Sequence, residues 1–132
     1  MAKQILIIED DQTLCEELTD ILQDEGYDVT SSNDGLNGLD FAVRGIFDLL
    51  LLDLRLPGMS GLDILRSVRS RNIPLKVIVL TGSPRTGDLP KGIRPSEADD
   101  VQVLSTADRV MFKPFHIVDL LDEIKRLTSK AN

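Results

Sequence analysis

The sequence predicts an α/β protein: a doubly wound, five-stranded parallel sheet with helices on both faces. Three observations predict it. Five short apolar runs recur along the chain, and each is followed by a stretch whose apolar residues repeat at helical spacing. The strand-to-helix alternation never breaks into hairpins. The crossovers are short, which places successive strands parallel in one sheet with helices packed on either side.

The elements follow in order. "QILII" (4–8) is the first strand and ends at Glu9, Asp10 and Asp11. Leu14, Leu18, Ile21 and Leu22 mark the first helix, which Gly26 closes. "YDVTS" (27–31) is a shorter, weaker strand; Leu36, Leu39, Ala42 and Val43 mark the second helix, with Gly45 after it. "FDLLLLD" (47–53) is the central strand, an unbroken apolar run of the kind buried on both faces. "LPGMSG" turns the chain, and Ser60 caps a helix carrying Leu62, Leu65 and Val68. "LKVIVLT" (75–81) is the fourth strand, between Pro74 and Gly82, and a loop rich in Gly and Pro follows at 82–95. Ser96 starts a short helix with Asp99 in the capping-box position, running to about Ser105. "RVMFK" (109–113) is the fifth strand, and Ile117, Leu120, Leu121, Ile124 and Leu127 form the stripe of the last helix.

Bulk composition narrows the classes. With 132 residues, 42% hydrophobic and 28% charged, the chain reads as one globular domain over 1–132, with no second domain expected. A net charge of -7 repels nucleic acid and anionic lipid, so neither is an expected partner. The single cysteine, Cys15, sits in an amphipathic stretch beside Leu14 and Leu18 and reads as a structural thiol. One cysteine permits no internal disulfide, which fits a reducing compartment. No apolar run approaches the ~18 residues of a membrane span. The start "MAKQILIIEDD" meets acids too soon for a signal peptide, so a cytoplasmic location is expected.

The chemistry gathers at the strand ends. In an open parallel sheet, ligands bind beyond the carboxyl ends of the strands. Here those ends carry Glu9-Asp10-Asp11, Asp53, Thr81 and Lys113, all at one edge of the sheet. Carboxylates crowded together raise one another's pKa unless a cation neutralises them. A ligand set of oxygens, without His or Cys, suits Mg²⁺ or Mn²⁺ rather than zinc. The only histidine, His116, reads as a surface or capping residue at the start of the last helix. Taken singly, each piece has an ordinary reading: acids at 9–11 also suit the positive end of the first helix, and a lysine is most often solvated. Four strand ends with complementary chemistry are harder to dismiss.

These residues resemble a known family. "ILIIEDD", "LLLLDLRLPGMSGLDIL", "VIVLTG" and "ADRVMFKPF" are similar to the motifs of the receiver domains of two-component response regulators, over essentially the whole chain. The resemblance implies a flavodoxin-like sheet of strand order 2-1-3-4-5. It implies a phosphoacceptor signalling module rather than an enzyme, taking a phosphoryl group from a histidine kinase or histidine phosphotransfer protein onto Asp53. It implies that Asp10, Asp53 and the backbone carbonyl of Arg55 ligate Mg²⁺, that Glu9 acts partly through water, and that Asp11 has no metal role. Lys113 and Thr81 are then the partners of the phosphoryl oxygens, with a cis peptide bond before Pro114. The dephosphorylation rate is expected to be tuned by Arg55 and Ser83. The surface of the fourth helix, fifth strand and last helix is the expected docking face for a downstream protein, on a monomer or weak homodimer.

Two departures stand out. Val110 occupies the position where the family commonly has a switching Tyr or Phe. The stretch from Thr81 to Lys113 is also longer than is usual, with the surplus in 82–95. Both keep open the alternative of a pseudo-receiver, a phosphorylation-independent protein-binding module. Other Mg²⁺ chemistries fit less well. A haloacid-dehalogenase-type phosphatase wants an aspartate where Arg55 stands, and a toprim-like nuclease wants paired acids where only Asp53 is found. Neither a G-x-G-x-x-G after the first strand nor a P-loop motif is present.

Overall fold

Apolar runs and helices alternate as β1 (Gln4–Ile8), α1 (Gln12–Asp24), β2 (Asp28–Ser32), α2 (Gly35–Ala42), β3 (Leu49–Asp53), α3 (Gly61–Ser70), β4 (Lys76–Gly82), α4 (Ala98–Leu104), β5 (Arg109–Lys113) and α5 (Ile117–Thr128). This is a computed structural model, and it describes residues 2–82 and 98–129. All strand pairs are parallel, in the order β2-β1-β3-β4-β5, which is the expected doubly wound topology.

The unbroken apolar runs are explained by two cores, one on each face of the sheet. Leu6, Ile8, Leu50, Leu52, Val77 and Val79 face Ala42, Leu65 and Val103 of the α2, α3 and α4 layer. Ile5, Ile7, Leu49, Leu51, Ile78 and Leu80 face Leu18, Leu22, Leu120 and Ile124 of α1 and α5. Successive strand residues point to opposite faces, so a strand covered on both sides must be apolar at every position. The edge strands β2 and β5 are mixed in burial and in polarity, as strands with one open flank are.

Local chemistry sets the helix starts. Asp11 caps α1 by accepting from the Leu14 amide at 3.1 Å. Asp34 caps α2 through Leu36 and Asn37, and Ser60 caps α3 through Asp63, as its position in the sequence predicts. Gly26 ends α1 with φ +92°, a conformation that glycine adopts without strain. His116 is exposed and stands at the cap position of α5 without a side-chain capping bond.

Some expectations need correcting. Leu36 does not belong to the buried stripe of α2; it is 58% exposed. That helix packs instead through Gly35, Gly38 and Ala42, because its first turn lies against backbone: a Cβ on Gly35 would meet the Met59 carbonyl oxygen at 2.1 Å. The central strand starts at Leu49 rather than at residue 47, since the Asp48 carboxylate accepts from the Gln4 amide at 2.8 Å. β2 and β4 each lie one residue later than expected. The loop from residue 83 onward, Ser83 itself, the Ser96 start of the fourth helix and the Asp99 side chain lie outside the described residues. Among the described residues no helix is long and apolar enough to cross a membrane.

At the end of the sheet away from the strand carboxyl termini, Arg69 joins three elements. Its guanidinium donates to the Leu75 carbonyl at 2.8 Å and to the Thr106 carbonyl at 2.9 Å. It also pairs with Asp108 at 3.0 Å, whose carboxylate in turn accepts from the Val77 amide at 2.8 Å. We expect Arg69→Ala to lower the unfolding free energy by about 1–3 kcal/mol, the worth of hydrogen bonds made by a charged group. Lysine lacks the planar fork, so Arg69→Lys recovers only part of the loss in a urea titration.

Candidate functional site

The period of two along each strand builds the site. Glu9 continues the face of Ile5 and Ile7, Asp53 that of Leu49 and Leu51, and Lys113 that of Met111. Three charged side chains therefore converge on the α1–α5 side of the sheet edge. Thr81 continues the opposite face, that of Val77 and Val79. Register puts them at one level: Asp53 pairs with Leu80, Thr81 with Phe112, and Gly82 with Lys113.

The acids meet. Glu9, Asp10 and Asp53 each offer a carboxylate oxygen, and these oxygens lie within 4.8 Å of one another. Glu9 is buried, with Oε1 accepting from Lys113 Nζ at 2.5 Å and Oε2 from the Asp11 amide at 3.2 Å. Lys113 Nζ stands farther from Asp53 Oδ2, at 3.8 Å, while Asp53 Oδ1 accepts from the Arg55 amide at 3.2 Å. Asp10 is exposed, and Asp11 spends its carboxylate on the α1 cap.

This crowding has an electrostatic cost. Asp53 is only 6% exposed. Burial, and then the hydrogen bonding and charge of neighbouring Glu9, raise its pKa from the usual 3.8 to about 7; Lys113 and the Arg55 amide pull the other way without prevailing. The Lys113 ammonium is closer to Glu9, so it neutralises the wrong carboxylate for Asp53. A set of oxygen donors carrying surplus negative charge, with one acid open to solvent, is what a hard divalent cation requires.

The backbone around the site is equally specific. The Lys113–Pro114 peptide bond is cis, as expected. A Cβ on Gly61 would sit 2.0 Å from the Asp53 carbonyl oxygen, so α3 begins in backbone contact with the strand end and only glycine fits there. Asn33, which the sequence reading passes over, donates its side-chain amide to the Glu9 carbonyl at 2.7 Å. Thr81 is buried at the end of β4, and Val110 is half-buried, packed against the same core as Val77 and Val79. A separate cavity of about 380 Å³ shares Lys113 and is lined by Leu14, Leu18, Ile21, Phe115 and Ile117 together with the polar Asp11, Thr13 and Glu17, without Glu9, Asp10 or Asp53.

The family model of the response regulator receiver domain matches residues 5–125. The chain belongs to this family. Among its relatives, the transcriptional regulatory protein DltR of Streptococcus agalactiae is 33% identical over 98% of this chain and 53% of its own length. The response regulator ArlR of Staphylococcus aureus is 36% identical over 94% of this chain and 52% of its own. The chain thus spans about half the length of the curated relatives it matches. Solved structures agree. A CheY-like receiver domain protein from Methanospirillum hungatei superposes with TM-score 0.78 at 28% identity, covering 96% of this chain and 93% of that one. The response regulator TrrA of Thermotoga maritima, solved in complex with Mg²⁺-BeF, gives TM-score 0.75 at 28% identity over 95% and 98%. The chain is therefore a receiver domain of two-component response regulators, a signalling module with the flavodoxin-like fold. Receiver domains bind Mg²⁺ at an acidic pocket, and this one has an acidic cluster at the corresponding edge of the sheet.

The raised pKa yields a stability prediction. Between 3.8 and about 7 the fold holds a proton on Asp53 that the unfolded chain releases. The native state therefore loses stability as pH rises through that window, by an amount on the order of a few kcal/mol once pH exceeds it. In EDTA, Asp53→Asn should raise the thermal midpoint at about pH 8 and raise it less at about pH 5. Saturating Mg²⁺ should erase the difference by stabilising the wild type. A variant no more stable than wild type at the higher pH would show the charge strain to be absent.

Proposed function

We propose that Asp53 accepts a phosphoryl group from a histidine kinase or histidine phosphotransfer protein, in a reaction that depends on Mg²⁺ or Mn²⁺. The supporting observation is the meeting of Glu9, Asp10 and Asp53 within 4.8 Å beside the Lys113 ammonium. The cation would be held by Asp10, Asp53 and the Arg55 backbone carbonyl, with Glu9 acting partly through water. When bound, it neutralises the carboxylates and offsets charge on the phosphoryl oxygens.

The chain's own residues divide the remaining work. An Asp53 carboxylate oxygen forms the bond to phosphorus as the donor's phosphorus–nitrogen bond breaks. Charge in this transfer spreads over three phosphoryl oxygens, so catalysis is mostly positioning and neutralisation. Lys113 pairs with one of these oxygens and the Thr81 hydroxyl donates to another. Arg55, with its amide on Asp53 Oδ1 and its side chain exposed, flanks the path of the water that later hydrolyses the acyl phosphate.

The switch is read by a protein partner. The added charge draws Thr81 inward and reshapes the surface of α4, β5 and α5. That face carries exposed apolar side chains, Val101, Phe112 and Val118, one from each element. The acidic balance of the chain argues against this domain touching nucleic acid or membrane directly, and a cytoplasmic monomer or weak homodimer fits the chemistry. Val110 favours a second reading, a pseudo-receiver that binds its partner without phosphorylation.

Acetyl phosphate and Mg²⁺ followed by intact mass separate the two. We expect one added phosphoryl group, lost in Asp53→Asn and in EDTA. Lys113→Ala should slow the labelling on the order of a hundredfold, the effect of deleting one preorganised charge partner. Unchanged mass in the wild type with several phosphodonors would favour the pseudo-receiver.

A further inference from the structure

We infer that Asn33 is a positioning residue for the acidic site, holding the main chain of Glu9 so that Glu9 and Asp10 present their carboxylates to a divalent cation. The inference rests on the metal-site reading above.

Both main-chain polar groups of Glu9 are held by consecutive residues, the last of β2 and the first of the turn that leads to α2. The Glu9 amide donates to the Ser32 carbonyl at 3.0 Å, and the Glu9 carbonyl accepts from Asn33 Nδ2 at 2.7 Å. The β1–β2 register ends at the pair Ile8 and Ser32, so past that point the sheet no longer fixes β1. The Asn33 amide takes over where the ladder stops. It secures the peptide that joins Glu9 to Asp10, and a rotation of that peptide would move both carboxylates together.

The turn itself is anchored firmly enough to act as a brace. Ser32 Oγ donates to the Asp34 carbonyl at 2.9 Å, and the Asp34 carboxylate accepts from the Leu36 amide at 2.7 Å. The Gly35 amide donates to the Pro57 carbonyl at 3.0 Å, tying the turn to the loop that follows Asp53 and Arg55. One short corner thus touches both the acid-bearing segment after β1 and the loop that follows Asp53. A neutral amide suits this position because it donates a bond without adding a charge to a cluster that already carries too many.

Mg²⁺ titrated into the whole chain by calorimetry tests the role. We expect Asn33→Ala to weaken Mg²⁺ binding about three- to tenfold, the worth of one neutral hydrogen bond, with its thermal midpoint in EDTA near that of wild type. Arg69→Ala, at the far end of the sheet, should lower the midpoint and leave the Mg²⁺ affinity unchanged. Wild-type affinity in Asn33→Ala overturns the inference, as does an equal affinity loss in Arg69→Ala, which would mark general destabilisation. A wild-type chain that takes no Mg²⁺ overturns the site reading and the inference with it. Should Asn33→Ala fail to fold, the Asn33 side-chain amide signals of the wild type decide: they should shift on saturation with Mg²⁺, and signals that stay in place overturn the inference.

Discussion

Like charge held at one sheet edge is the constraint around which this receiver domain is built. Three carboxylates share a space where the Lys113 ammonium sits closer to Glu9 than to Asp53. Left alone, such a cluster relaxes by taking up a proton, and Asp53 does so near neutrality. The carboxylate of Glu9 beside Asp53, where an amide would be neutral, therefore makes the site poor at holding itself together and good at holding a cation. The same property suits a phosphoacceptor, since the group that arrives brings further negative charge that the uncharged core cannot stabilise.

A site this unfavourable needs a rigid frame, and the parallel sheet supplies one. β1, β3 and β4 are buried on both faces, so the positions of Glu9, Asp53 and Thr81 are set by packing on which the acids have no influence. Backbone contacts finish the frame. Gly61 brings α3 against the Asp53 carbonyl, and Gly35 brings α2 against Met59. Relaxation of the cluster by moving apart is closed off, which leaves proton uptake or cation binding as the ways to relieve it.

The same reasoning explains what could be read from the sequence. The parallel sheet and the meeting of Glu9, Asp10, Asp53 and Lys113 were legible because strands announce themselves by apolar runs and their ends by the first polar residue, whereas the strand order came only with the resemblance to the family. Leu36 misled because helical spacing records apolar residues, whereas α2 packs through glycines, whose burial leaves no hydrophobic signal. Gly61 was invisible for a related reason: its role is a close approach to a residue on another element, which spacing along the chain does not encode. Asn33 sits in a Ser-Asn-Asp-Gly turn, where an asparagine is expected for local reasons alone. That it reaches the Glu9 carbonyl is a fact of tertiary structure.

The two ends of the sheet follow opposite electrostatic rules. Away from the site, opposite charges meet and hydrogen-bond acceptors are filled: Arg69 satisfies Leu75, Thr106 and Asp108, and Asp48 receives the Gln4 amide. At the site, among the described residues, three acids face the Lys113 ammonium and remain in excess. Since both ends rest on the same strands, stability supplied at one end underwrites strain at the other. The far end can then be improved without touching the acid cluster, while neutralising the near end would strengthen the fold and remove the carboxylate proposed as phosphoacceptor in one step.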